Sequence, residues 1–320
     1  MSLRVVPGLA LLLLAAVPLR AQEFTDRAAH RTGSVRSGGA RLHYLEWTGP
    51  GPAVVLLPGF TLTAHVFDEI GDRLGRDHHV VALTPRGFGQ SDAPDSSAYT
   101  LTTLVRDLGA LLDSLHISRA ALVGHSMGGM IAAHYALQHP DRVRQLVLLD
   151  IYPYYREEGA DSIDAQNPIA IPTFAGDTTY AAVAGWLGRY RYVPWRSAFE
   201  ADLRAKPLGA EGARRRALTV QYVADQWAAP PDLRRLAVPA VEVCASPTVA
   251  SEYPWLARTD PNYRAAERYL RYQLGPLWRR LCARFPREAP GGQTRTLIGS
   301  HYVFFSDPQT TTALLREILR

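Results

Sequence analysis

The sequence predicts a doubly wound α/β fold, in which a mostly parallel sheet carries an inserted helical lid. Short, continuously apolar runs such as Ala53–Leu57 alternate with segments of helical periodicity such as 100–115. Apolar runs of this length are typical of strands that are buried on both faces of a parallel sheet. Between 151 and 235 the alternation stops, and that stretch is rich in aromatic residues and in Pro and Gly breaks.

The predicted strands and helices follow one another along the chain. Arg31–Ser37 and Leu42–Trp47 flank Gly38-Gly39 and predict a strand pair. Apolar runs predict further strands over 53–57, 80–83, 120–123 and 143–149, and the last two strands are predicted over 238–245 and 295–298. Helical segments are predicted over 64–74, 100–115, 126–139 and 252–284, and from 307 to the C-terminus. Thr100 is a suitable N-cap for the second of these helices.

The N-terminal residues differ in kind from the rest. Arg4 precedes an uncharged, largely apolar stretch over Val5–Leu19, and Ala21 supplies the small residue of a cleavage region. This pattern resembles a secretory signal peptide over residues 1–21. The stretch is shorter than the roughly 20 apolar residues of a membrane-spanning helix. We therefore expect an exported protein, periplasmic or secreted, with no stable membrane insertion after signal cleavage.

The composition argues against two classes of partner. The formal net charge is +5, but the arginines are scattered and Lys206 is the only lysine. No basic tract is interleaved with aromatic residues, so we expect no nucleic-acid partner. The sequence contains no H-E-x-x-H motif and too few cysteines for a zinc cluster. We accordingly expect neither a metal nor a cofactor.

The two cysteines, Cys244 and Cys282, leave two interpretations open. In an exported protein they could form a disulfide, because that environment is oxidising. Alternatively, each could be a small core residue in a separate element.

The strongest local motif is Gly124-His125-Ser126-Met127-Gly128-Gly129, which directly follows the apolar run Ala120–Val123. Strand, sharp turn and helix in this order form a G-x-S-x-G nucleophile elbow. The turn presents a serine hydroxyl to a base, while its glycines let strand and helix approach closely. The following helix points the positive end of its dipole at an oxygen that gains negative charge.

Three further stretches match one family in the same order. Leu56–Phe60 resembles an oxyanion loop, Thr84–Asp92 resembles an R-G-x-G-x-S loop, and Gly299–Phe304 resembles the loop that carries a catalytic histidine. With the elbow, these stretches resemble the α/β-hydrolase fold superfamily, in its lid-bearing branch, over essentially the whole mature chain. The resemblance implies a core over 22–150 and 236–320 and a helical lid over 151–235.

The resemblance also implies a role for each matching residue. Ser126 is expected to be the nucleophile, and His301 the base that takes its proton and later returns it. The backbone N–H groups of Phe60 and Met127 are expected to form the oxyanion hole. His125 is expected to point away from the catalytic machinery. His65 is expected to lie on a helix surface, with a position that reaches the pocket as the alternative.

The acid of the triad is the one departure that affects chemistry. Family members usually place it after the strand over 238–245, where Ala245-Ser246-Pro247-Thr248 offers no carboxylate. Some members place it one strand earlier, where Asp150 ends the run Leu146–Leu149. Asp150 is therefore the candidate acid that would orient His301. Asp260, or no acid at all, remains an alternative.

The function that this resemblance implies is that of a cofactor-independent serine hydrolase, carboxylesterase-like. It would cleave an ester or related acyl bond of a small, largely apolar substrate through an acyl-enzyme. Ser126 argues against epoxide hydrolase and haloalkane dehalogenase chemistry, which use aspartate at the elbow. A C–C hydrolase, lactonase, amidase or perhydrolase would use the same residues. A hydrolase-fold binding protein that has lost turnover is the alternative from another class, and the oligomeric state stays open.

Overall fold

The computed structural model describes residues 29–94, 99–151, 159–170, 179–190 and 197–320. Within these ranges the chain forms an eight-stranded sheet with the order β1-β2-β4-β3-β5-β6-β7-β8. The strands are β1 (Arg31–Ser37), β2 (Ala40–Thr48), β3 (Ala53–Leu57), β4 (His79–Leu83), β5 (Ala120–His125), β6 (Val143–Leu149), β7 (Ala240–Ser246) and β8 (Gln293–Ile298). Strand β2 pairs antiparallel with both β1 and β4, and all the other pairs are parallel. The predicted signal peptide over 1–21 lies outside the described residues.

Helices connect the strands on both sides of the sheet. In chain order they are α1 (Asp68–Leu74), α2 (Leu101–Ser114), α3 (Met127–Gln138), α4 (Ala160–Asp164), α5 (Tyr180–Tyr190), α6 (Ser197–Arg204), α7 (Gly209–Ala228), α8 (Val249–Glu252), α9 (Tyr263–Tyr269), α10 (Gly275–Glu288), α11 (Val303–Ser306) and α12 (Pro308–Ile318). None of the helices in the described ranges is long and apolar enough to cross a membrane.

Side-chain alternation along the buried strands produces two cores, one on each face of the sheet. In β3, Val55 belongs to the core that contains residues of α2, α3 and α10. Its neighbours Val54 and Leu56 belong to the opposite core, which contains residues of α1 and α12. This period of two, covered by helices on both faces, confirms the predicted doubly wound α/β fold.

The observed helices refine two predicted segments. The segment predicted over 64–74 begins as a short 3₁₀ helix over Ala64–Phe67 and continues as α1. The segment predicted over 252–284 is interrupted after α8, and a π-helical stretch over Leu270–Leu274 joins α9 to α10. The predicted N-cap of α2 is observed, because the side chain of Thr100 accepts a hydrogen bond from the N–H of Thr103.

The inserted segment between β6 and β7 is helical where the structure describes it, from α4 to α7. Helix α6 is anchored to the loop after β3 because Asp202 Oδ1 accepts from the Thr63 N–H at 2.7 Å. Helix α7 contacts the R-G-x-G loop through the Tyr222 hydroxyl, which lies 3.4 Å from the carbonyl oxygen of Arg86. The lid boundaries at 151 and 235 stay predictions. Of the aromatic residues predicted for the lid, those outside the described residues are Tyr152, Tyr154, Tyr155, Phe174, Tyr192 and Trp195, together with the side chain of Trp227.

A disulfide joins Cys244 of β7 to Cys282 of α10, with the two Cα atoms 6.3 Å apart. The structure thereby decides between the two interpretations that the sequence left open. The bond closes a long connection, since the two residues are 38 positions apart in the chain. It fastens β7, the strand next to the edge of the sheet, to helix α10.

Candidate active site

Ser126 lies at the tip of a strained turn between β5 and α3. Its backbone has φ 51° and ψ −120°, a combination that non-glycine residues rarely adopt. The turn is stabilised by the Ser126 N–H, which donates to the carbonyl oxygen of Leu149 at 3.1 Å. A Cβ atom on Gly124 would lie 2.4 Å from the carbonyl oxygen of Gly128, so only glycine fits there.

His301 and Asp150 come together although 151 positions separate them in the chain. His301 Nδ1 lies 2.7 Å from Asp150 Oδ2, a distance typical of a charge-assisted hydrogen bond. The carboxylate is buried, whereas the side chain of His301 is 37% exposed. With Nδ1 donating to the carboxylate, Nε2 is the ring nitrogen that can accept a proton from substrate or serine.

Asp150 is held in place from two further directions. Its N–H donates to the carbonyl oxygen of Val243 at 2.9 Å, and its Oδ1 accepts from the N–H of Ala245 at 2.6 Å. Both partners belong to β7, so the strand that lacks a terminal carboxylate positions the carboxylate of its neighbour. The residue has φ 54°, a left-handed conformation that Asp tolerates better than most residues.

Asp260, the alternative acid, has another environment. Its Oδ1 accepts from the N–H of Asn262 at 2.8 Å, in the turn that leads into α9. Among the described residues, the carboxylate that contacts the imidazole of His301 is that of Asp150.

Phe60 and Met127 offer backbone N–H groups beside the serine. Met127 is the first residue of α3, and the first N–H groups of a helix have no intrahelical acceptor. The Leu62 N–H donates to the Gly59 carbonyl at 3.2 Å, which places Phe60 at the second position of a turn. The N–H of Phe60 is not used within this turn. The loop after β3 and the elbow at Ser126 approach each other closely, since a Cβ on Gly59 would lie 3.1 Å from Ser126 Cβ.

The predicted orientation of His125 is wrong. Its ring does not point away but packs on His301, with the ring centroids 4.5 Å apart. His125 Nε2 lies 2.9 Å from the carbonyl oxygen of His301, so this nitrogen must carry the proton and donate it. Burial, and then the neighbouring His301, hold the pKa of His125 well below its usual value. A neutral His125 therefore fastens the backbone of the loop that carries His301.

The predicted surface position of His65 is also wrong, because this side chain is buried. It contacts Asp68 at 3.3 Å, and His30 Nε2 lies 3.8 Å from the same carboxylate. Within the described ranges, these three side chains each offer one atom that could ligate a metal, and these atoms lie within 4.8 Å of one another. That spacing is close enough to hold a cation. Their hydrogen bonds and ring contacts equally suit a buried polar cluster that needs no ion.

Glu252 is a buried carboxyl group that the sequence did not single out. It ends α8, the first helix after β7, and burial followed by the negative charge of Asp150 raises its pKa to about 8. At neutral pH it therefore keeps its proton and adds no second negative charge beside Asp150. Its effect depends on packing between segments far apart in the chain, which no local pattern reveals.

Ser126 and His301 open into one cavity of about 570 Å³. The core side contributes the oxyanion loop and Tyr302. The inserted helices contribute mostly apolar side chains, namely Val183, Trp186, Leu187 and Leu208. Arg216 of α7 is the charged exception on that side, among the residues that the structure describes.

A family model described as alpha/beta hydrolase fold matches residues 52–235, more than half of the chain. The eight-stranded sheet, its order and the serine elbow are the architecture of that class. The chain belongs to the alpha/beta hydrolase fold family.

Curated relatives match over part of their length. A fluoroacetate dehalogenase from a Burkholderia species is 38% identical over 111 residues, which are 33% of this chain and 36% of that protein. The 2-(acetamidomethylene)succinate hydrolase of Mesorhizobium japonicum is 32% identical over 146 residues, 46% of this chain and 51% of that protein. The chain thus spans about half or less of these relatives.

A solved structure extends the similarity to nearly the whole chain. A probable hydrolytic enzyme from Pseudomonas aeruginosa PAO1 superposes with a TM-score of 0.67 at 22% identity, covering 93% of this chain and 96% of that one. At this identity the similarity concerns the fold. The family is described by its hydrolase fold, and the two relatives cited above are themselves a dehalogenase and a hydrolase.

Proposed function

We propose that this protein is an exported serine hydrolase that cleaves an ester or related acyl bond of a small substrate through an acyl-enzyme. One observation carries the proposal. The elbow serine shares a cavity with His301, whose Nδ1 is bonded to the buried carboxylate of Asp150 at 2.7 Å. A nucleophile, a base and the group that orients the base are thereby available in one place.

The reaction follows from these positions. His301 Nε2 accepts the proton of the Ser126 hydroxyl as its oxygen attacks the acyl carbon. The N–H groups of Phe60 and Met127 donate to the oxygen that becomes negative. When the tetrahedral intermediate collapses, His301 returns the proton to the leaving group and an acyl-Ser126 remains. A water molecule, deprotonated by His301, then releases the acid and regenerates the serine.

The nucleophile separates this chain from part of its family. The elbow carries serine, whereas epoxide hydrolases and haloalkane dehalogenases use aspartate there, as the family resemblance implies. The ester between an acyl group and the serine hydroxyl is readily hydrolysed, and this hydrolysis releases the acyl group as an acid. The same residues suit a lactonase, an amidase or a C–C hydrolase, so the bond type must be found by experiment.

The cavity indicates the shape of the substrate. Its lid side is mostly apolar, which favours a small, largely apolar acyl group. Arg216 adds a cation to the lining, and this supports a substrate that also carries an acidic group. The two relatives are named for fluoroacetate and for a substituted succinate, which are themselves carboxylates.

Export is proposed on two grounds. The predicted signal peptide is the first, and the Cys244–Cys282 disulfide is the second. Disulfides persist in oxidising compartments and are rare in the reducing cytosol.

The direct test is rapid-mixing hydrolysis of 4-nitrophenyl acetate by the mature protein. Acyl-enzyme chemistry predicts a burst of nitrophenol equal to the enzyme concentration, which is absent from Ser126→Ala. A panel of esters, thioesters, lactones and amides then ranks the bond types. If neither burst nor turnover occurs with any of them in a folded sample, the binding-protein alternative gains support.

A further inference from the structure

A second cavity, of about 840 Å³, lies between the end of β7 and one face of the helix that runs from α9 to α10. It shares no lining residue with the cavity of Ser126. Ser246, Thr248 and Thr296 offer polar groups at its sheet side. The proposed catalytic reaction leaves this cavity without a role.

Positive charge is concentrated in this cavity. Arg264, Arg268, Arg271 and Arg279 line it, against the single carboxylate of Glu267. Like charges spaced three or four residues apart on a helix repel one another. In the described part of the chain, no ion pair joins Arg264, Arg268 or Arg279 to a carboxylate. These exposed guanidinium groups thus lack an ion-pair partner in that part of the chain, and an anion would relieve the repulsion.

Aromatic side chains stand beside these arginines. Tyr263, Tyr272 and Trp278 line the same cavity, and Tyr272 is 64% exposed. The guanidinium carbon of Arg271 lies 5.4 Å from the centre of the Tyr272 ring. Aromatic faces next to guanidinium groups suit a ligand with a flat apolar body and an acidic group.

The helix is irregular at this cavity. Its π-helical stretch over Leu270–Leu274 includes Arg271 and Tyr272, which both line the cavity. π-Helical turns are rare and often occur at functional sites, because the inserted residue redirects neighbouring side chains. The irregularity is an observation independent of the charge.

From these observations we infer that this cavity is a second binding site, for an organic anion whose carboxylate, sulfonate or phosphate group contacts the arginines and whose apolar body packs on the aromatic rings. Such a ligand compensates the excess charge and covers Tyr272. The inference is independent of the proposed hydrolase function.

Calorimetric titration with 2-naphthalenesulfonate tests the inference. The full mature protein, titrated both before and after phosphonate treatment, is expected to bind one equivalent in each case, more weakly as salt increases. Neutral 2-naphthol is expected to bind at least about tenfold more weakly, because it lacks the charge-assisted hydrogen bonds. An Arg268→Gln/Arg271→Gln double variant is expected to lose about tenfold or more in affinity.

The matched control is Arg287→Gln, an exposed arginine of α10 outside the cavity, which should bind as the unchanged protein does. Circular dichroism checks that each variant is folded. Equal affinity in the double variant and the control would overturn the inference, as would binding that the phosphonate abolishes. A third outcome is that the protein binds vesicles of anionic phospholipid but not naphthalenesulfonate, and that only the double variant loses vesicle binding. This outcome would overturn the inference of a soluble ligand and indicate a membrane surface instead.

Discussion

Asp150 performs two tasks with one carboxylate. Oδ1 is fixed by the N–H of Ala245, while Oδ2 accepts from His301 Nδ1. The first contact fixes the Asp150 side chain against the sheet. The second contact can then orient the imidazole without a further loss of conformational entropy by Asp150. Because Glu252 nearby is neutral, it does not repel the negative charge of Asp150.

The Asp150→Asn variant is expected to lose about 1,000- to 10,000-fold in kcat, because an amide no longer selects the required tautomer of His301. Ester hydrolysis is the measurement, with thermal melting to show that the variant is folded. Asp260→Asn is the matched control and should retain its activity, since Asp260 contacts the turn at Asn262. Unchanged kcat in Asp150→Asn would reject Asp150 as the acid.

Arg216→Gln is expected to raise KM by about tenfold or more for an ester that carries a distal carboxylate, since it removes a charge-assisted hydrogen bond. Hydrolysis of the matching neutral ester should be unaffected. The control is Arg214→Gln on the same helix, whose guanidinium pairs with Glu211 instead of lining the cavity. Equal effects on both esters would show that Arg216 does not recognise an acidic group.

At the scale of elements, β7 and α10 are joined by the Cys244–Cys282 disulfide. The bond bears on both cavities. Strand β7 positions Asp150 through Val243 and Ala245, and α10 forms one wall of the arginine-lined cavity. Rigid attachment of the two elements therefore supports the orientation of His301 at a distance.

Replacing both cysteines by alanine is expected to lower the free energy of unfolding by about 2–4 kcal/mol, because a disulfide restricts the unfolded chain. Urea denaturation with and without reducing agent measures the effect. Reducing agent should bring the unchanged protein to the stability of the double variant and leave that variant unaffected. Identical denaturation midpoints for the two proteins without reducing agent would show that the bond does not form.

At the scale of the whole molecule, buried histidines make stability depend on pH. Burial, followed by the positive charges of His65, His30 and Arg41, lowers the pKa of His43 from 6.5 to about 4. Between these values the unfolded chain binds a proton that the folded protein rejects. Stability is therefore expected to fall as the pH falls from 6.5 to about 4.

The contribution of His43 has a slope of about 1.4 kcal/mol per pH unit within that range. Asn at position 43 can keep the hydrogen bond to Thr84 and cannot take up the proton. His43→Asn should therefore flatten the pH dependence of unfolding by that amount, measured by urea denaturation at several pH values. His116→Asn, at an exposed histidine, is the control. Parallel curves for His43→Asn and the unchanged protein would contradict the assignment.

Local patterns predicted the sheet and most of its connections. Apolar runs mark β3 and β6 at the observed bounds, because strands covered on both faces are mostly apolar. The polar residues of β6, Arg144 and Gln145, lie near its start and are only half-buried. The same runs indicated which loops meet at the carboxyl edge of the sheet. Together with the resemblance to the α/β-hydrolase family, these runs allowed Ser126, His301 and Asp150 to be selected before their geometry was known.

Features that depend on distant packing could not be predicted. The contact of His125 with the His301 carbonyl joins residues 176 positions apart, and no periodicity encodes it. The same holds for the buried position of His65, whose surroundings come from β2 and the segment before β1. The π-helical stretch could not be predicted, because a one-residue insertion barely changes the helical pattern of apolar residues.

The central claim is that Ser126 is an activated nucleophile, and fluorophosphonate labelling followed by intact-mass measurement tests it most directly. We predict that the folded, mature protein gains the mass of one phosphonyl group per chain and that Ser126→Ala gains none. The Asp150→Asn variant should react much more slowly. A folded protein that takes up no label, or a Ser126→Ala variant that is labelled as fast as the unchanged protein, would contradict the claim.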